Sequence, residues 1–105
     1  MNDREFVEEF YILKKSLMDD YFSNKKDPAR AALVAKVADN KEQEETVHKI
    51  IDLVLTDALY TILLGIDGCA TIGEEQQLYK LFDEEGNEMT NNNIESYAWE
   101  IFQDQ

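Results

Sequence analysis

The chain is poor in the residue types that build most catalytic and metal sites. It has one cysteine, one histidine, one proline and four glycines in 105 residues. The single cysteine, Cys69, excludes an internal disulfide and is typical of a reducing compartment. Zinc needs three or four histidine or cysteine ligands, so Cys69 and His48 are too few. Because no catalytic signature surrounds either residue, we predict a small packed cysteine and a histidine on a helix surface.

Basic residues are almost missing from the second half of the chain. Residues 1–50 hold 11 acids and 9 bases, whereas residues 51–105 hold 12 acids and only Lys80. Residues 81–105 contain seven acids and no base, so most of the net charge of −13 lies in this half. Such a potential repels nucleic acid and anionic membranes, and it attracts a basic protein surface.

The sequence also lacks a recognisable secretory signal or membrane span. Its first ten residues, MNDREFVEEF, carry acids where a signal would be basic and then apolar. The longest apolar run, residues 50–66, contains Asp52 and Asp57, which are costly in lipid, so we predict a buried helix. With 44% hydrophobic residues, the chain is expected to be one cytoplasmic globular domain, residues 1–105.

Hydrophobic residues recur at steps of three and four and predict a mostly helical chain. Asn92 and Glu95 have capping-box spacing in front of the last helix. Gly65 is predicted to take the left-handed position that ends the third helix. The four helices are expected at about residues 3–22, 28–38, 41–64 and 92–103.

One stretch changes this periodicity. In EQQLYKLFD, Leu78, Lys80 and Phe82 alternate with Gln77, Tyr79 and Leu81, and the aromatic residues favour a strand. DEEGN and a short EMT follow, so Gly86 or Asn87 is expected at positive φ in a turn. We therefore predict a β-hairpin at about residues 76–90 and an α+β fold class that is mostly α.

The acid-rich DEEGNE stretch resembles a calcium loop only superficially. An EF-hand loop beginning at Asp83 would need glycine at its sixth position and a bidentate acid at its twelfth. Those positions are Glu88 and Ile94, so we predict a plain turn. The sequence gives no reason to expect a metal or another cofactor.

Three functional classes remain open after these exclusions. The favoured class is a protein that is not an enzyme and binds another protein. A second is an acidic mimic of nucleic acid that inhibits a DNA-binding protein. The third is a small-ligand binder or enzyme centred on Asp57 and Tyr60, which a deep pocket lined by Asp57 would support.

Residues 55–90, LTDALYTILLGIDGCATIGEEQQLYKLFDEEGNEMT, and the aromatic stretch IESYAWEIF carry a resemblance to a known class. They resemble small acidic immunity proteins of bacterial polymorphic-toxin and contact-dependent growth inhibition systems. The resemblance implies a cytoplasmic protein that neutralises a cognate toxin domain, a basic nuclease in particular. It implies no catalytic residue, no cofactor and no oligomeric state.

The contact residues for such a toxin are predicted from charge and side-chain type. Carboxylates would pair with lysine and arginine of the toxin, and exposed aromatic side chains would act as anchors. The predicted contact set is Asp67, Glu74, Glu75, Tyr79, Asp83, Glu84, Glu85, Glu88, Tyr97 and Trp99.

Overall fold

The computed structural model describes residues 1–23 and 25–103 and is predominantly helical. The predicted helices are present, and the last of them ends in a π-helical segment. The elements are α1 (Asp3–Phe22), α2 (Pro28–Val37), α3 (Lys41–Ile66), α4 (Asn93–Ala98) and the π-helical segment Trp99–Gln103.

Two compact units make up the chain. The first comprises Met1–Ile12 and Asp57–Gln105, and the second comprises Leu13–Thr56. We call them the acidic unit and the balanced unit, after their charge. The first part of α1 and the last part of α3 belong to the acidic unit, and the rest of both helices belongs to the balanced unit. Buried apolar residues of the balanced unit are Met18, Ala31 and Val34. The core of the acidic unit is Val7, Leu59, Leu63, Met89, Ile94, Ala98 and Phe102.

Local sequence sets where the first two helices begin. At α1, the Glu5 N–H donates to Asn2 Oδ1 at 2.8 Å, and the Asn2 N–H donates to Glu5 Oε1 at 3.1 Å. This reciprocal pair is a capping box, which satisfies two otherwise unpaired donors of the first turn. At α2, Asp27 accepts from the Arg30 N–H at 3.1 Å, and Pro28 needs no donor there.

The end of α3 differs from the prediction at Gly65. The helix continues to Ile66, and Gly68, at φ 77°, takes the left-handed position instead. The Cys69 N–H donates to the Leu64 carbonyl at 2.8 Å, and the Gly68 N–H donates to the Gly65 carbonyl at 3.1 Å. These two bonds form a Schellman motif. Gly65 serves another purpose, because a Cβ there would overlap the side chain of Ile72.

The predicted hairpin at residues 76–90 is wrong, and with it the α+β fold class. In the described part of the chain, a single antiparallel bridge joins Phe82 to Glu88, and no strand or sheet forms. Continuing the register of this bridge would pair Lys80 with Thr90 and Leu78 with Asn92. Residues 90–92 form a turn that leads into α4, so the return strand ends before it can pair. Gly86 does adopt the expected positive φ, at 86°.

Candidate partner-binding surface

The acidic unit carries the entire net charge of the protein. It contains 15 acids and only two bases, Arg4 and Lys80, a net of −13. The balanced unit contains eight acids and eight bases, a net of zero. All ten predicted contact residues belong to the acidic unit. Because like charges repel, such a concentration of acids raises the energy of the free protein unless a cationic partner offsets it.

Residues 83–88, the acidic loop, are held in one shape by the Asp83 carboxylate. Its Oδ1 accepts from the Glu85 N–H at 2.9 Å and from the Asn87 N–H at 2.8 Å. Its Oδ2 accepts from the Asn87 side-chain amide at 3.2 Å. Hydrogen bonding from Asn87, above all from its backbone N–H, lowers the pKa of Asp83. The loop therefore orders its own backbone and presents its other carboxylates outward.

Three further acids of the loop, Glu84, Glu85 and Glu88, are exposed. Glu84 Oε1 accepts from the N-terminal amine of Met1 at 2.7 Å, and this hydrogen bond lowers the pKa of Glu84. Glu88 accepts from the Thr90 hydroxyl at 3.3 Å. These contacts leave most of each carboxylate open to solvent.

Glu74 and Glu75 lie in a separate bend, residues 72–75. Both side chains are exposed, and neither forms an ion pair within the described residues. They are free to meet a cation from outside. The structure thus gives two exposed acidic sites, this bend and the acidic loop.

Asp67 has a different environment, because it is only 8% exposed. Its Oδ1 accepts from the Asn92 N–H at 2.9 Å, and its Oδ2 accepts from the Glu95 N–H at 3.0 Å. Asp67 therefore caps α4 from 25 residues away along the chain. The predicted capping box of Asn92 with Glu95 is wrong, since Asn92 is left-handed and makes no side-chain cap bond.

The three predicted aromatic contacts differ in accessibility. Tyr79 is 46% exposed and Trp99 is 56% exposed. Tyr97 is partly buried, and the Arg4 guanidinium lies over its ring at 5.3 Å. Arg4 also donates to Glu100 at 3.2 Å. One of the two bases of the acidic unit is therefore already engaged with an aromatic ring and an acid of the same unit.

Sequence reasoning missed two exposed apolar side chains near the acids. Leu78 is 87% exposed and Phe82 is 53% exposed. Both belong to the LYKLF stretch, for which the sequence predicts a hairpin strand. The signal was present in the short EMT that follows the turn, which is too short to cover such a strand.

Cys69 is exposed, in contrast to the packed cysteine that was predicted. Its Sγ lies 3.0 Å from Glu95 Oε2 and 3.7 Å from Asn92 Oδ1. The hydrogen bond to Glu95, together with burial, raises the pKa of Cys69 to about 11. The thiolate is the reactive form, so a raised pKa lowers the reactivity of this thiol. His48 is exposed on α3, as predicted, beside the ring of Phe22.

The alternative site at Asp57 and Tyr60 lies apart from three concavities that the described residues form. Three concavities of about 880, 440 and 220 Å³ are lined by residues of the balanced unit. Asp57 and Tyr60 line none of them. Asp57 is exposed on α3. Burial raises the pKa of Tyr60, and the nearby charge of Glu95 raises it further.

Residues 1–23 and 25–103 contain neither a metal site nor a membrane-spanning helix. No cluster of three or more histidine, cysteine, aspartate or glutamate side chains there is arranged to hold a metal ion. No helix in this part of the chain combines the length and apolarity that crossing a bilayer requires. Comparison of the chain with protein-family models, curated proteins and solved structures found no match.

Proposed function

We propose that this chain is an immunity-type inhibitor, a cytoplasmic protein that binds and neutralises a basic toxin domain of a bacterial polymorphic-toxin or contact-dependent growth inhibition system. One observation carries the proposal, the separation of charge between the two units. The acidic unit has a net charge of −13 and the balanced unit a net charge of zero. A surface with this concentration of one sign is suited to a partner of the opposite sign.

Steering and occlusion would give the inhibition. The potential of the acidic unit accelerates encounter with a basic substrate cleft, as in a nuclease that binds anionic nucleic acid. Carboxylates at the surface then pair with lysine and arginine of the cleft in charge-assisted hydrogen bonds. A cleft filled in this way has no room for its substrate.

The acidic loop is the centre of the proposed contact. Asp83 orders its backbone before any partner arrives, so less conformational entropy is lost when Glu84, Glu85 and Glu88 bind. Tyr79 and Trp99 supply exposed aromatic area of the kind found at interface hot spots. We leave Asp67 out of the proposed contact, because both of its oxygens cap α4.

The first test is binding to a toxin domain encoded beside this chain. The adjacent coding sequence is read for a protein with a C-terminal basic domain, and the two proteins are co-expressed, co-purified and assayed for toxin activity. We expect a stoichiometric complex whose affinity falls as sodium chloride rises. A neighbouring toxin domain that stays active and separate from this chain would refute the proposal.

A matched pair of charge reversals locates the interface. Glu74→Lys with Glu75→Lys changes two free acids of the acidic unit. Glu44→Lys with Glu45→Lys makes the same change of charge at two exposed acids of the balanced unit. We expect the first variant to bind at least about tenfold more weakly, since rim charges mainly set the association rate, and the second to bind nearly normally. Equal losses of affinity in the two variants would show that the position of the acids does not affect binding.

Binding of the unsubstituted chain to unrelated basic DNA-binding domains separates the nucleic-acid mimic from the immunity protein. A mimic inhibits DNA-binding proteins generally, so unrelated basic DNA-binding domains would be captured as tightly as the toxin domain. Selective binding to one toxin domain supports the immunity function.

A further inference from the structure

Residues 76–82, the edge segment, have backbone groups that no other part of the described chain pairs. Residues 76–81 form no helix, turn or bend, and all side chains from residue 72 to residue 80 are exposed. Among the described residues, no backbone–backbone hydrogen bond involves residues 74–80, and the Gln77 carbonyl accepts only from the Gln76 side-chain amide, at 3.4 Å. Apart from Leu81 and Phe82, which take part in the bridge to residues 88–90, the segment is thus an unpaired stretch beside the acidic loop.

The single bridge fixes the directions of these backbone groups. The Met89 N–H donates to the Leu81 carbonyl at 2.6 Å, and the Asp83 N–H donates to the Asn87 carbonyl at 2.9 Å. Leu81 and Asp83 therefore point their backbone groups inward, toward the return of the chain. In an antiparallel pair such groups alternate from one residue to the next, so those of Phe82 point outward. An extended backbone continued from Leu81 back to Leu78 places the groups of Lys80 and Leu78 on this outer edge.

Side-chain chemistry also suits the edge segment to strand pairing. LYKLF combines aromatic and large apolar residues that are favoured in strands. Leu78 and Phe82 expose more than half of their surface although both are apolar. A segment of this length matches an ordinary strand, and an exposed apolar edge is a template for a strand from another chain.

We propose that the outer edge of residues 76–82 receives an extended, basic strand of the partner by backbone pairing. The inference rests on the proposed function for the sign of the partner's charge. Acids flank the edge on both sides, Glu74 and Glu75 before it and the acidic loop after it. A strand that pairs with this edge passes between two acidic sites, which selects lysine and arginine at its ends.

Two of the ways in which a second copy of the chain could pair with this edge oppose identical or like-charged residues. Antiparallel pairing of two copies about Lys80 sets Lys80 opposite Lys80 and Glu75 opposite Glu85. A parallel pairing in register places every residue opposite its like. Like charges directly opposite each other destabilise a sheet, so charge complementarity favours a basic strand over a homodimer.

The test uses substitutions that remove one backbone donor at a time. Lys80→Pro deletes an outward N–H, and Lys80→Ala removes the same side chain but keeps the N–H. Gln77→Pro is the control, because its N–H lies on the inner edge. Binding of an acetylated octapeptide of alternating lysine and valine is measured by titration for each variant, with circular dichroism to verify folding. We expect Lys80→Pro to bind about tenfold more weakly than Lys80→Ala, and Gln77→Pro to bind like the unsubstituted chain.

Amide hydrogen exchange on the unsubstituted chain gives a second, independent readout. Strand addition protects the amides of Leu78, Lys80 and Phe82 and leaves those of Gln77 and Tyr79 exchanging freely. Failure of the octapeptide to bind, protection without this alternation, or equal binding by Lys80→Pro and Lys80→Ala would each overturn the inference. So would a concentration-dependent dimer of the free chain that protects the same three amides.

The toxin domain separates this inference from the proposed function. A toxin domain that binds without alternating protection of the edge overturns the inference and leaves the proposed function standing. Alternating protection by the octapeptide, with no toxin domain bound or inhibited, supports the edge and counts against the proposed function.

Discussion

The acidic unit and the balanced unit use charged residues in opposite ways. In the balanced unit, Lys14 lies 2.8 Å from Asp52 and Arg30 contacts Asp27, so acids and bases of the same unit pair with each other. In the acidic unit, bases are too few for most acids to find a partner. The excess of acids is therefore confined to one unit. If composition alone set the charge, the excess would be spread evenly over both units.

The two units also differ in how completely they bury apolar side chains. Val7, Leu63 and Ile94 of the acidic unit have no exposed surface. The buried apolar residues of the balanced unit, Met18, Ala31 and Val34, keep 7%, 7% and 8% of theirs. The unit with the stronger charge repulsion therefore has the more completely buried core, and burial is the term that can offset repulsion.

Truncation of the two cores gives the largest expected effect. Leu63→Ala removes a fully buried side chain and should lower the free energy of unfolding by about 3–5 kcal/mol. Val34→Ala in the balanced unit removes fewer atoms at a less buried place, and we expect about 1–2 kcal/mol. Urea unfolding followed by circular dichroism measures both. Equal losses would mean that the balanced unit is packed as tightly as the acidic unit.

Removal of the α4 cap is expected to have the next largest effect. Asp67→Ala leaves two backbone N–H groups without an acceptor, which should cost about 2–4 kcal/mol of unfolding free energy. Asp57→Ala is the matched control, since that acid is exposed on α3 and its loss should change little. Thermal unfolding of both variants provides the measurement. A melting temperature that falls equally in the two variants would argue against a special role for Asp67.

Local signals predicted the helices well because their causes are local. The starts of α1 and α2 depend on capping side chains only three residues away. Asn2 accepts from the Glu5 N–H, and Asp27 accepts from the Arg30 N–H. The cap of α4 was missed because Asp67 reaches it from 25 residues away. The residue spacing around α4 does not indicate a contact with Asp67, so the sequence predicts the nearby Asn92 as the cap.

The hairpin failed for a similar reason. LYKLF has a strong preference for strand, but a strand also needs a partner of comparable length. The chain returns as only Glu88 and Met89 before the turn into α4 begins. Strand propensity predicted the conformation of residues 78–82. No sheet forms there, because the chain supplies no second strand of comparable length to pair with them. For the candidate site, the sequence located the excess of acids but not the burial of Asp67 or the exposure of Leu78 and Phe82.

Raising the salt concentration should change the stability of the two units in different ways, without any substitution. Raising sodium chloride from 0.05 to 0.5 M screens repulsion among the acids of the acidic unit, so its slowest amides should exchange more slowly, by about threefold. The ion pairs of the balanced unit are weakened by the same screening, so its protection should stay level or fall. Hydrogen exchange of individual amides by NMR measures both units in one sample. A uniform rise in both units would indicate a general effect of salt on burial rather than relief of local repulsion.

The smallest effect we predict is the titration of the acidic loop. Hydrogen bonding to the carboxylate lowers the pKa of Asp83 below its ordinary value of 3.8. A lowered pKa means that the ionised side chain stabilises the loop above pH 3.8 and that this contribution disappears as pH falls through the folded-state pKa. NMR titration should show the Asp83 carboxyl and the amides of Glu85 and Asn87 changing together, with a midpoint below 3.8. In Asp83→Asn the shared titration of the two amides should vanish. A midpoint at or above 3.8 would mean that the carboxylate does not hold these amides in solution, and the proposed preorganisation of the acidic loop would lose its support.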